Sequence, residues 1–269
     1  MALGTPMRNP RVPPATMLEA TIVVPCFNEA ARLDRARFLD LARDPAVRLL
    51  FVDDGSSDGT RAMLAALKGE GGGRVDFLAL DVNGGKAEAV RQGMRLGLER
   101  GAKVVGFLDG DLATPPEEMV RLVHAIETHE AQVVLGARVG LAGTRIDRKM
   151  ARHYLGRVFA TAASMILRER FYDTQCGAKV FRASHALEDA LARPFVSRWA
   201  FDVELIGRLL VGSERAPALS VKDFVEVPLH EWTDVPGSKL RPTAFARVAA
   251  DLVRIEVELD ALRTRRRAR

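Results

Sequence analysis

The chain has 269 residues, 48% of them hydrophobic and 28% charged, with a net charge of +5. It is long enough to bury a sizeable core and reads as a soluble globular protein of one large domain or two small ones. Its apolar runs fall short of the roughly 18 residues of a transmembrane helix, and two distant cysteines, Cys26 and Cys176, make neither a metal-type spacing nor a disulfide framework. A reducing compartment, the cytoplasm, follows from that cysteine usage. The mild basicity suits an anionic partner, whether nucleotide, lipid phosphate, membrane surface or nucleic acid.

Residues 1–18 are rich in proline and read as a flexible leader. After them short apolar runs alternate with helical patterns. ATIVVPCF (20–27) predicts a buried strand, and 28–43 a helix with Asn28 as N-cap. VRLLFVDD (47–54) is a second strand, followed by the turn GSSDGT and a helix to residue 67. RVDFLAL (74–80) is a third strand, 84–100 a helix, and AKVVGFLD (102–109) a fourth strand. TPPEEMVRLVHAIE (114–127) predicts a helix with Thr114 as N-cap, Pro115 at the first helical position and Glu117 closing a capping box. AQVVLGAR (131–138) is a further strand. This alternation means a mainly parallel α/β sheet covered by helices on both faces.

Beyond Arg138 the pattern changes. A glycine-containing polar loop (139–147), expected to be mobile and to order around a donor, precedes a long helix (148–169) with a basic first half. YDTQCGAKVF (172–181) is a turn and a short strand, 198–210 a helix, 221–229 a strand and 230–242 a polar loop. Residues 243–269 form an amphipathic helix ending in RTRRRAR. The organisation is one domain over 19–242 plus this helix, which either lies on an anionic membrane surface or packs on the domain.

The sharp polar features all fall at the carboxyl ends of strands, where open α/β sheets gather ligands. Asn28 and Glu29 follow the first strand, Asp53 and Asp54 end the second, Gly84, Gly85 and Lys86 follow the third, and Asp109 and Asp111 flank Gly110 after the fourth. Any one of these alone is explained by turn chemistry; together they predict a polar ligand site. Paired carboxylates repel, and a hard Mg²⁺ or Mn²⁺ ion carrying a diphosphate relieves that repulsion. The glycines before Lys86 let amides approach a phosphate at a helix N-terminus. A magnesium-dependent signalling receiver and a DxD phosphatase are competing classes. A receiver would carry a Lys-Pro after a later strand, and none follows one here; the phosphatase would carry Thr or Val where Ala113 stands.

TIVVPCFNEA, LFVDDGSSDGT, NGGKAEAVRQGM and GFLDGDLATPPEE, in that order, resemble glycosyltransferase family 2, with its GT-A fold. YDTQCGAKVF, RWAFDVELI and EWTDVPGSKL look like the dolichyl-phosphate glucosyltransferases and their prokaryotic relatives. The resemblance implies a metal-dependent inverting transfer of a hexose from a nucleotide sugar, with UDP-glucose favoured over GDP-mannose. The acceptor it implies is a polyprenyl or dolichyl phosphate; a soluble hydroxyl acceptor is the alternative, and nucleic acid has no part. Pro25, Phe27, Asn28 and Glu29 would then shape the nucleoside pocket, and Asp54, beside Asp53, would contact the base. Lys86 and Gly84 would sit near the donor. Asp109-Gly110-Asp111 matches the DXD metal motif. Arg138, Arg148 and Arg152 would hold the acceptor phosphate. Gln175, Trp199, Asp202 and Glu204 would close the acceptor side, with Asp111, Arg138, Asp202 and Gln175 the candidate catalytic residues. Asp202 or Asp173 would serve as base were the acceptor a hydroxyl.

Overall fold

A computed structural model describes residues 18–147, 150–235 and 244–267, side chains at 150–155, 244–247 and 267 excepted. The leader up to residue 17, Arg148 and Lys149, the segment 236–243 and the final two residues lie outside it. In chain order the first half comprises β1 (Ala20–Cys26), α1 (Arg35–Leu41), β2 (Val47–Asp54), α2 (Thr60–Glu70), β3 (Val75–Leu80), α3 (Lys86–Glu99), β4 (Val104–Leu108), α4 (Pro116–Thr128) and β5 (Val133–Ala137). The second half comprises β6 (Arg145–Asp147), α5 (Met150–Leu167), β7 (Ala178–Arg182), α6 (His185–Ala192), α7 (Phe201–Val211), β8 (Phe224–Pro228), β9 (Glu231–Thr233) and α8 (Ala244–Arg267).

Seven strands form one sheet in the order β3-β2-β1-β4-β7-β5-β8. All neighbours are parallel except β7, which runs antiparallel to both β4 and β5. The strands read as near-continuous apolar runs because both sheet faces are covered. Ile22, Val24, Leu49 and Phe51 bury against α1, α2 and α4, while Val23, Val52, Val105 and Phe107 bury against α3, α6 and α7. This is the helix-sandwiched, mainly parallel sheet of the GT-A type.

The order of the strands fixes where a ligand goes. The chain leaves β1 outward to β2 and β3, then returns to lay β4 on the other side of β1. That reversal opens a crevice at the carboxyl ends of β1 and β4, where Phe27 and Asp109 emerge.

Several predicted elements differ in detail. Asn28 is no N-cap: it adopts φ 54°, residues 29–33 turn on Glu29, and α1 starts seven residues later with Asp34 accepting from the Arg37 amide. Helix α4 starts at Pro116 with no capping box. The physical reason is the Pro-Pro pair, since a residue before proline is pushed out of the helical region, and Pro115 sits at ψ 151°. The polar segments 139–147 and 230–242 each contribute three residues to a parallel ribbon, β6 with β9. Helix α6, capped by Ser184, went unpredicted.

Helix α8 packs on α5 and α7 through Leu252, Ile255 and Leu259. A Cβ on Gly207 would stand 2.4 Å from a Leu259 methyl, so glycine is what lets α7 and α8 touch there. Among the described residues no helix is long and apolar enough to cross a membrane.

Candidate active site

The crevice is built from loops that hold one another. Asn28, after β1, donates its amide to Ser56 Oγ and accepts from the Ser57 amide. The amides of Glu29 and Ala30 converge on Thr60 Oγ1. The β1–α1 and β2–α2 connections therefore form one wall. Glu29 binds Arg32, and both lie within electrostatic reach of Asp111.

Asp53 and Asp54 are buried and serve the scaffold. Asp53 accepts from the Ser56 amide and from Arg61 Nε at 2.9 Å. Asp54 accepts from the amides of Gly84 and Gly85, each at 2.8 Å. The amides expected to meet a phosphate are thus already given to a carboxylate. Burial pushes the Asp54 carboxyl up, and those two amides pull it back in part. Arg198 holds the other side of the same loop, donating to the carbonyls of Asn83 and Gly84. Clamped from both sides, the loop delivers Lys86 to the crevice.

Lys86 makes an ion pair of 2.6 Å with Asp109 Oδ1 and lies 5.8 Å from the Phe201 ring centroid. Loss of water works against its charge, but Asp109, Asp202 and Asp111 outweigh that and raise its pKa. Asp109 is seated by β7: its amide donates to the Gly177 carbonyl, and its carboxylate occupies the space a Cβ at 177 would fill. Asp111 turns toward solvent and accepts from the Ala113 amide. Partial desolvation in the recess, then the charge of Asp109, raise its pKa.

Beneath this pair lies a second, buried one. Lys179 Nζ donates to Asp202 Oδ1 at 2.6 Å, and Gln175 Nε2 approaches Asp202 Oδ2 at 3.3 Å. Burial raises the Asp202 pKa, opposed first by Lys179 and then by Lys86. Lys86, Asp109, Asp111, Gln175 and Asp202 are thereby brought into one cluster. Lys179 was missed. Its signal was visible, a lysine inside the apolar run of CGAKVF.

Three expected participants are placed otherwise. Arg138 forms a forked pair with Asp173, at 2.7 and 2.8 Å, and stacks on Trp232. Its guanidinium already faces a carboxylate, so both the phosphate reading of Arg138 and the base reading of Asp173 give way to a wall contact. Glu204 is fully buried, accepting from Arg208 and from the amides of Val196 and Ser197; it supports the loop before α7 instead of closing the acceptor side. Arg148 and the side chain of Arg152 lie outside the described residues. Trp199 is partly exposed and meets Phe159 edge-on.

Asp109 and Asp111 fit a hard divalent ion. Their carboxylate oxygens, on either side of Gly110 at the carboxyl end of β4, are the hard donors such an ion takes, with substrate oxygens and water as its further ligands. Among the described residues no group of three or more acidic, His or Cys side chains exists that could hold a metal alone, so an ion held here would need substrate oxygens or water to complete its shell.

A doubly covered sheet with a carboxylate pair at its switch point, faced by a lysine, agrees with a GT-A glycosyltransferase, and the comparison with known families decides among the classes that share such a sheet. The chain belongs to glycosyl transferase family 2, whose family model matches residues 21–187. It is 30% identical over 269 residues to the dolichyl-phosphate beta-glucosyltransferase of Drosophila melanogaster, covering 92% of this chain and 77% of that one. It is 27% identical over 189 residues to the polyprenol monophosphomannose synthase of Mycolicibacterium smegmatis, covering 70% and 71%. The structure of glucosyl-3-phosphoglycerate synthase from Mycobacterium tuberculosis with Mn²⁺, UDP-glucose and phosphoglyceric acid is similar in fold. Its TM-score is 0.63 at 19% identity, over 89% of this chain and 80% of that one.

Proposed function

We propose that this glycosyltransferase moves glucose from UDP-glucose to a polyprenyl phosphate, with inversion at the anomeric carbon, at the surface of the membrane that carries the acceptor. What supports the reading is the cluster of Lys86, Asp109, Asp111, Gln175 and Asp202 at the switch point, in a chain whose relatives over most of its length are dolichyl-phosphate glucosyltransferases.

Asp109 and Asp111 would hold Mg²⁺ or Mn²⁺, which when bound offsets the charge that grows on the departing diphosphate. Lys86 adds a fixed positive charge on the same side, aimed where that charge develops. The loop clamped by Asp54 and Arg198 keeps Lys86 there without reorganisation. The acceptor phosphate oxygen attacks the anomeric carbon from the face opposite the diphosphate. The old carbon–oxygen bond breaks with its electron pair going to UDP. A phosphate is already anionic at neutral pH, so no strong general base is needed. The buried Asp202, with Gln175, lies on the floor of the cluster and suits orienting the sugar.

The test is incubation of the full chain with radiolabelled UDP-glucose, Mn²⁺ and a short polyprenyl phosphate, followed by organic extraction. Label in the organic phase is the expected result. Label retained on a water-soluble acceptor would replace the lipid by a soluble substrate, and label transferred only from GDP-mannose would replace the donor.

A further inference from the structure

Lys179 is fully buried, with 1% of its side chain exposed, and among the described residues no other lysine is buried so. An ammonium in such a place is costly unless it is hydrogen-bonded and its charge is matched. Lys179 has both. Lys179 Nζ donates to Asp202 Oδ1 at 2.6 Å and to the Cys176 carbonyl, and it lies 5.1 Å from the centroid of the Phe107 ring. Strand β7 carries it into the sheet between β4 and β5, directly under the loop 172–177 that carries Gln175. The reaction proposed above gives Lys179 no task, since it is too deep to meet a substrate.

Its effect is instead transmitted by two further contacts. An ionised carboxylate only accepts hydrogen bonds, whereas a glutamine amide offers a donor end and an acceptor end. Asp202 Oδ1 is taken by Lys179, and Oδ2 receives Gln175 Nε2 at 3.3 Å. Because Asp202 is buried and Gln175 is partly exposed, the amide end turned away from Asp202 is the end that faces the crevice. That end is the carbonyl oxygen. The Gln175 main chain is pinned as well, its amide donating to Asp173 Oδ1, so the side chain has little freedom to flip by moving its backbone.

We propose that Lys179 is a positioning residue that sets the polarity of Gln175: it holds Asp202 as a pure acceptor, so that Gln175 presents its carbonyl oxygen to a hydroxyl of the transferred sugar. This rests on the glycosyl-transfer reading for the identity of the hydroxyl, while the internal chain from Lys179 to Asp202 to Gln175 does not. The arrangement makes the site demand a donor group from its ligand, and a sugar lacking that hydroxyl would leave a buried acceptor unpaired.

The test has an arm that needs no substrate. In ¹⁵N–¹H correlation spectra of the full chain, the Gln175 side-chain pair is identified by its disappearance in Gln175→Ala. In the wild type one proton of that pair is expected downfield, bonded to a carboxylate. Lys179→Met is expected to move the pair toward the positions of a free amide; a pair that stays in place overturns the proposal. If Lys179→Met does not fold, Asp202→Asn removes the charge without changing shape and is read the same way.

The kinetic arm uses UDP-glucose and the polyprenyl phosphate. Lys179→Met should lower kcat/KM by about 10²-fold, the scale of a misplaced substrate contact, and Lys179→Met/Gln175→Ala should lose no more than the worse single variant. Losses that multiply would mean that Lys179 does not act through Gln175. A wild type without turnover on this pair would count against the donor or acceptor assignment, and the spectra would then decide the role of Lys179.

Discussion

Replacing Gly177 by alanine should disable the site while sparing the fold. A Cβ there would stand 2.3 Å from Asp109 Oδ2 and 2.4 Å from its Cγ. Comfortable contact needs about 3.5 Å, so the overlap exceeds 1 Å by a little at the nearest atom. The backbones cannot part easily, because the Asp109 amide donates to the Gly177 carbonyl at 2.9 Å and the two segments continue the β4–β7 pairing. The carboxylate therefore moves, and its 2.6 Å pair with Lys86 goes with it. A shift of about 1 Å at a reacting site costs roughly 10²-fold in rate, and overpacking of this kind costs about 1–3 kcal/mol of stability. The assay is kcat/KM for transfer, with manganese titration and thermal unfolding of the same preparation. Wild-type turnover and manganese affinity in Gly177→Ala would refute the seating of Asp109 by β7.

Asp111→Ala should abolish turnover yet change unfolding by no more than ~0.5 kcal/mol, as for a solvent-facing side chain; retained activity would remove Asp111 from the metal site. Leu259→Ala should cost about 2–5 kcal/mol by cavity formation, measured by urea unfolding, and a negligible cost would mean that α8 does not share the core. Glu88 accepts from Arg91 and Gln92, and the Arg91 guanidinium beside it holds its carboxyl below the ordinary 4.5. A depressed carboxylate stabilises the fold above its unfolded pKa and loses that contribution as pH falls through the folded value. Glu88→Gln should therefore melt lower than wild type at pH 7, with the gap closing only below about pH 4.5; a gap independent of pH would show that the charge plays no part.

The first half of the fold was legible because its strands are buried on both faces and its helices are amphipathic, so periodicity and turn residues agree. The carboxylate pair stood out in the sequence because the acids around Gly110 end an apolar run and share the carboxyl-end rim with three other polar clusters, a conjunction that turn chemistry alone does not require. What the sequence hid were relations between distant segments. Asp54 and Gly84–Gly85 are thirty residues apart, and only the parallel pairing of β2 with β3 lets the carboxylate take those amides. Arg138 and Asp173 meet because β7 inserts between β4 and β5, an antiparallel insertion that alternation of strands and helices does not announce. Glu204 reads as a rim acid on a helix start, yet Arg208, one turn later, draws it inward. Pro115 was misread because two adjacent prolines compete for the first helical position, and the second prevails.

The central claim is that Asp109 and Asp111 join a divalent ion to the diphosphate of a sugar donor. Calorimetric titration of the full chain with UDP, with and without Mn²⁺, tests it most directly. Binding that requires the ion, and that Asp111→Ala loses, is the predicted result. UDP binding of equal strength with and without manganese would contradict it.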